Sequence, residues 1–222
     1  MNEERKTTME DTSPPEAGVE PSSDVAFSAS VKQVQEERGS RAAYARVERG
    51  GGFPSVVDDD LRAFLSAVDT AFLATASADG QPYIQHRGGF KGFIRALDEH
   101  TLAFADFVGN RQYVSTGNLR DNDRVCLFLI DYERRRRIKV WGTARVVPAT
   151  PELVALLAKP GYRARIEQVM LLTVRAWDVN CPQHIPQKLD AAEVAETVAA
   201  LKKRIAELEK ENARLLRATE RR

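Results

Sequence analysis

This chain is short of cysteine, of charge of one sign and of long apolar runs. Its 222 residues include two cysteines. Cys126 and Cys181 stand in different segments without CxxC spacing, which excludes a zinc ribbon and a disulfide framework and fits a reducing, cytoplasmic setting. The opening stretch "MNEERKTTMEDTSPPEAGVEPSSD" carries charges where an export signal needs an apolar centre. No run of about 18 apolar residues follows it, so neither export nor membrane insertion is expected. Lys and Arg total 33 against 32 for Asp and Glu. A formal charge of +1 gives no global basic field of the kind that holds a protein on nucleic acid. The chain also lacks GxGxxG and GxxxxGK[ST], the two common nucleotide-binding fingerprints.

The chain does have enough apolar residues, 43%, for a substantial core. Residues 1–24 are rich in Pro, Ser, Thr and Glu and are expected to form a disordered tail, because they cannot offset the entropy of ordering. Residues 25–69 read as N-terminal helices: two short ones in "SASVKQVQEERGSRAAYARVE" around Gly39-Ser40, then "DDDLRAFLSAV" with its Leu61, Phe64, Leu65 and Val68 stripe. From Thr70 the texture becomes that of strands. "TAFLATASADGQPYIQHR" predicts a hairpin turning at Asp79-Gly80. Further strands are expected in "GFIRAL", "TLAFADF", "RVCLFLIDY", "RRRIKVWGTARVVP" and "EQVMLLTVRAWDV", with helices in "GNRQYVSTGNLRDN" and "PELVALLA". Tight turns between so many strands predict a mainly β fold, an antiparallel barrel with flanking helices over residues 70–188.

Residues 190–219 form a separate pattern. Val194, Val198, Leu201, Ile205, Leu208, Asn212 and Leu215 alternate steps of four and three, the seam of a coiled coil with Val198, Ile205 and Asn212 at a. A lone Asn at a favours two parallel strands, and Arg204 at g faces Glu209 at e of a partner. The competing reading is an amphipathic helix packed on its own domain.

Four segments could carry chemistry. In "GNRQYVSTGNL", a Gly before a helix start, an Arg and a Ser offer backbone and side-chain donors to a phosphate, unless Asn110 merely caps a surface helix. "QPYIQHRGG" puts Gln85 and Arg87 on one strand face and His86 on the other, where a structural imidazole is the plainer reading. In "DYERRRRIKVWG", Ile138, Val140 and Gly142 share the inner face, and Arg137, Lys139 and Trp141 the outer. That outer row suits a planar anion or an interface, and Arg134 and Arg136 suit a solvated turn. "WDVNCPQHIPQ" displays Cys181 and His184 from a loop stiffened by two prolines. Two such ligands without a third name no metal, and no catalytic residue can be assigned.

In order along the chain, "FLATASADGQPYIQHRGG", "GFIRALDEHTLAFADFVGNRQYVSTGNL", "RVCLFLIDYERRRRIKVWGTARVV" and "WDVNCPQHIPQ" resemble the pyridoxamine 5'-phosphate oxidase-like FMN-binding split-barrel family, particularly its bacterial flavin-nucleotide-binding branch. The likeness covers roughly Phe27 to Lys188. It implies a split barrel that binds FMN as a homodimer, with the flavin sites at the interface. It assigns the FMN phosphate to basic residues within Gln85 to Lys91, with Gln85, Arg87 and Lys91 as candidates. Asn110, Arg111 and Ser115 correspond to the family's helix-start donors. The flavin-facing row is Arg137, Lys139 and Trp141, and His184 joins the cofactor-binding set. Authentic pyridoxamine phosphate oxidases carry Arg-x-x-Leu-Leu-Lys where this chain has "QHRGGFK", and end in a Trp and Arg-Leu-rich segment where it has the heptads. The resemblance therefore implies an FMN-dependent oxidoreductase on some other small molecule. The alternatives are a non-enzymatic flavin- or haem-binding sensor whose tail recruits a partner, and nucleic-acid binding through Arg134 to Arg137, which the balanced charge disfavours.

Overall fold

A computed structural model describes residues 21–219; of the tail expected over residues 1–24, residues 1–20 lie outside them. Ordered structure begins inside the last residues assigned to that tail. Ser22–Val25 forms a short 3-10 helix, and the Ser22 hydroxyl donates to the carbonyls of Gly51, at 3.1 Å, and Phe53. The cause is a long-range partner, which composition does not encode.

The chain divides into two compact units. The first runs to Ile130 and resumes over Arg137–Asn180. It opens with α1 (Ala29–Glu37) and α2 (Arg41–Arg49), broken at Gly39 with its φ of 76°, and continues with α3 (Asp59–Ala67). Asp58 caps α3 by accepting from the Leu61 amide at 2.9 Å, satisfying one of the donors a helix start leaves open. Leu61, Phe64 and Leu65 are buried, as their spacing predicts.

The strands are β1 (Thr70–Ala76), β2 (Pro82–Gly88), β3 (Ile94–Ala96), β4 (Thr101–Phe107), β5 (Arg124–Asp131), β6 (Arg136–Pro148) and β7 (Ile166–Asn180). They form one antiparallel sheet in the order β2-β1-β5-β6-β7-β4-β3. With β2 and β3 at its ends the sheet is not closed, and the fold is a split barrel with flanking helices, α4 (Val114–Asp121) and α5 (Pro151–Leu157) among them. The β1–β2 turn uses Gly80 at φ 89°, the conformation Gly tolerates and other residues resist. Burial alternates along β5 and β6, putting Leu127, Leu129, Ile138 and Val140 fully inside. Trp177 ties the segment after α2 to β7: its amide donates to Pro54 O and its indole to Val56 O, both at 2.8 Å.

The second unit comprises Asp131–Arg136 and the chain from Cys181. Asp131 accepts from the Arg134 amide and pairs with its guanidinium, each at 2.9 Å. Arg135, left-handed at φ 53°, donates through Nε to Ile185 O at 3.1 Å. Gln187 donates to Glu133 O, and the Lys188 ammonium lies 4.0 Å from the Tyr132 ring centroid. Arg136 opens the strand and does not sit in the solvated turn expected for it. The unit ends in α6 (Ala191–Thr219), 29 residues long.

Candidate functional site

Within the first unit, a cavity of about 290 Å³ opens where β2, the end of β4, the loop after it, α4 and the start of β7 meet. Gln85 and Arg87 reach it from β2, Asn110 and Arg111 from the loop, and Ser115 from α4. The alternation of an edge strand explains the first pair: Gln85 and Arg87 are half-buried, and His86 points the other way, edge-on to Phe72 with centroids 5.6 Å apart. His86 thus takes no part in lining the cavity.

The helix expected from Asn110 begins only at Val114, a correction with a local cause. Arg111 and Tyr113 both hold left-handed backbone, φ 60° and 54°, which a helix cannot continue through. Asn110 therefore does not cap α4. Its side chain accepts instead from the Gln112 amide at 3.2 Å and stiffens the loop. Two side-chain-bearing residues held in that region at a cavity rim mark a preorganised segment.

The polar groups of the cavity are linked. Arg87 forms an ion pair with Asp106, each side chain only 12% exposed. The other Asp106 oxygen accepts from Gln168 Nε2 at 2.8 Å, and Gln168 also donates to Thr116 Oγ1 at 3.0 Å. With Nη1 committed to Asp106, the buried Nε of Arg87 has no hydrogen-bond partner. Such a donor costs free energy unless a ligand atom meets it. Ser115 Oγ donates to Gln85 Oε1 at 3.2 Å, which orients that amide. Tyr113 donates to Glu167 Oε1 at 2.8 Å, and this carboxylate pushes the phenol above its ordinary pKa. No nucleophile–base pair converges here. The cavity can bind and orient an anion, and its own acids, Asp106 and Glu167, are occupied by Arg87 and Tyr113.

The other candidates lie elsewhere. Lys91 sits in the exposed turn after β2 and does not line the cavity. Arg137, Lys139 and Trp141 form a half-buried row on the outer face of β6, the predicted register. Trp141 stacks on Phe53, rings 9° from parallel at 5.7 Å, with the Lys139 ammonium 5.7 Å from the indole centroid. Burial pushes the Asp178 carboxyl and the Cys126 thiol upward, against the opposing pull of Lys139. His184 belongs to the second unit and has left-handed backbone, φ 63°. Among the described residues no cluster of His, Cys, Asp and Glu could hold a metal, and no helix is long and apolar enough to cross a membrane.

Sequence reading missed Asp106, Tyr113, Thr116, Glu167 and Gln168. Only Asp106 left a signal, a carboxylate interrupting the apolar run "TLAFADF".

The profile of the family described as pyridoxamine 5'-phosphate oxidase matches residues 57–186, more than half of the chain. No curated protein matches. Among solved structures, HupZ of Group A Streptococcus is 19% identical over 60% of this chain and 98% of its own, with a TM-score of 0.43. An FMN-binding protein from Syntrophomonas wolfei is 12% identical over 68% and 95%, TM-score 0.43. A FAD-binding protein from Mesorhizobium loti is 16% identical over 56% and 94%, TM-score 0.39.

Proposed function

The chain belongs to the pyridoxamine 5'-phosphate oxidase family, and on that premise we propose that it is a cytoplasmic, homodimeric flavoprotein, an FMN-dependent oxidoreductase whose small-molecule substrate is not vitamin B6. The observation that carries the cofactor reading is the Arg87–Arg111–Ser115 cavity, with its unmet, buried Arg87 Nε. That donor set fits a phosphate monoester: two guanidiniums, a hydroxyl and the first amides of α4.

Arg111 and Arg87 neutralise the phosphate in this reading, Gln85 Nε2 donates to it, and the Ser115 hydroxyl turns from Gln85 Oε1 to donate to it as well. Asp106 and Gln168 hold Arg87 so that its Nε need not reorganise when the anion arrives. The outer row of Arg137, Lys139 and Trp141 serves the flavin ring or the dimer surface. Bound flavin supplies hydride transfer, so no side chain need act as general base. Arg134 plays no part, since its guanidinium is committed to Asp131.

Fluorescence titration with FMN tests the assignment. Arg111→Ala is expected to weaken binding by roughly 10- to 100-fold, the loss of one charge-assisted contact of about 1.5–3 kcal/mol. Arg134→Ala should leave it within about twofold. Equal losses in the two variants would remove the cavity from the cofactor site.

A further inference from the structure

Every described side chain of α6 is exposed in the single chain, and its exposure is periodic in chemistry. Val194, Val198, Leu201, Ile205, Leu208 and Leu215, at a and d, are 40–58% exposed. The positions farthest from that seam are all charged: Glu196, Lys203, Lys210 and Arg217. Helices of globular proteins draw most of their stability from packing such a stripe. A helix about 43 Å long at 1.5 Å per residue whose apolar seam is this exposed is stabilised by a second surface laid along it.

We propose that this surface is α6 of a second copy of the chain, paired parallel and in register as a two-stranded coiled coil. Three observations select that occupant. Asn212 falls at a between Leu208 and Leu215. In a parallel pair it meets its own copy, and the two amides can hydrogen-bond. In an antiparallel pair a positions pack against d positions, so the amide would be buried against an apolar side chain. Arg204 at g is followed five residues later by Glu209 at e, so a parallel register sets opposite charges across the interface twice by symmetry. Finally, Arg204 makes only a weak local contact to Glu207, 3.3 Å away and with both side chains more than half exposed, which costs little to exchange. The seam repeats every seven residues over its whole length, as a left-handed pair requires and a face packed on a globular surface does not. This inference stands independently of the flavin reading.

Oxidative cross-linking of the full-length protein tests it, in a Cys181→Ser background because Cys181 is exposed. Asn212→Cys and Leu201→Cys, one a and one d position, should each give a predominant disulfide-linked two-chain product. Lys203→Cys, on the charged face, should give little. In a mixture of Val194→Cys and Leu215→Cys chains, each should link to its own kind. Preferential linkage of the two different chains would show antiparallel pairing and overturn the proposal, as would a one-chain mass by light scattering or equal linkage at Lys203. As a second readout, Asn212→Leu should shift the mass to assemblies larger than two, because an all-apolar seam loses its selection for two strands. A mass unchanged by Asn212→Leu, together with no linkage at Asn212→Cys, would also overturn it.

Discussion

Arg87→Ala is expected to produce a protein that retains almost no FMN and unfolds at a markedly lower temperature. Two separable effects combine. Loss of the guanidinium removes a charge-assisted contact to the phosphate, worth about 1.5–3 kcal/mol or roughly 10- to 100-fold in Kd. It also strands Asp106, whose side chain is only 12% exposed and whose remaining partner is Gln168. Breaking one side of a buried ion pair costs on the order of 3–5 kcal/mol. The double variant Arg87→Gln, Asp106→Asn separates the two, since it removes both charges and keeps hydrogen-bonding groups in place. Its melting temperature should recover most of the loss, and its FMN affinity should not. Wild-type affinity in the folded double variant would mean that the phosphate is held elsewhere.

Gly142→Ala is expected to be the most damaging of the small substitutions. The β6–β7 pairing slips between Trp141 and Gly142, so that Trp141 faces Ala176 and Gly142 faces Val174. At this bulge the backbones approach so closely that an added Cβ would lie 1.9 Å from the Thr173 carbonyl oxygen. A flexible side chain could move aside, but a carbonyl held in the sheet cannot. The two longest strands must separate or lose ladder bonds. The expected cost is about 3 kcal/mol or more, near a 10 °C fall in melting temperature for a chain of this size. Gly117→Ala is the matched control: it lies inside α4 with nothing within 4 Å of the new Cβ. It should be neutral or stabilising by about 0.5–1 kcal/mol. Thermal unfolding followed by circular dichroism distinguishes the pair, and equal midpoints would contradict the bulge geometry.

The strands were legible because their period is short and their chemistry alternates. Ile138 and Val140 against Arg137, Lys139 and Trp141 predicted the faces of β6 correctly, and Asp79-Gly80 predicted the hairpin turn. In "ERRRR" the division between a turn at Arg134 and a strand row from Arg137 was legible, but the partners were not, because Arg134 and Arg135 answer to Asp131 and to the Ile185 carbonyl, the latter 50 residues away. The cavity was half legible. Gln85, Arg87, Asn110, Arg111 and Ser115 are brought together there, but the acids that neutralise and orient the site, Asp106 and Glu167, come from β4 and β7. Nothing local announces a pairing across 19 residues, still less one across 54. The late start of α4 was hidden for another reason: left-handed Arg111 and Tyr113 are held by their surroundings and have no glycine to mark them.

The central claim is that this barrel holds a flavin by its phosphate, and the most direct measurement is the visible spectrum of the purified full-length protein, followed by the mass of the released ligand. Visible flavin absorption that bleaches on anaerobic reduction is expected, with a released mass equal to FMN at about one per chain. Protein that is colourless as purified and takes up no flavin when incubated with FMN would contradict it.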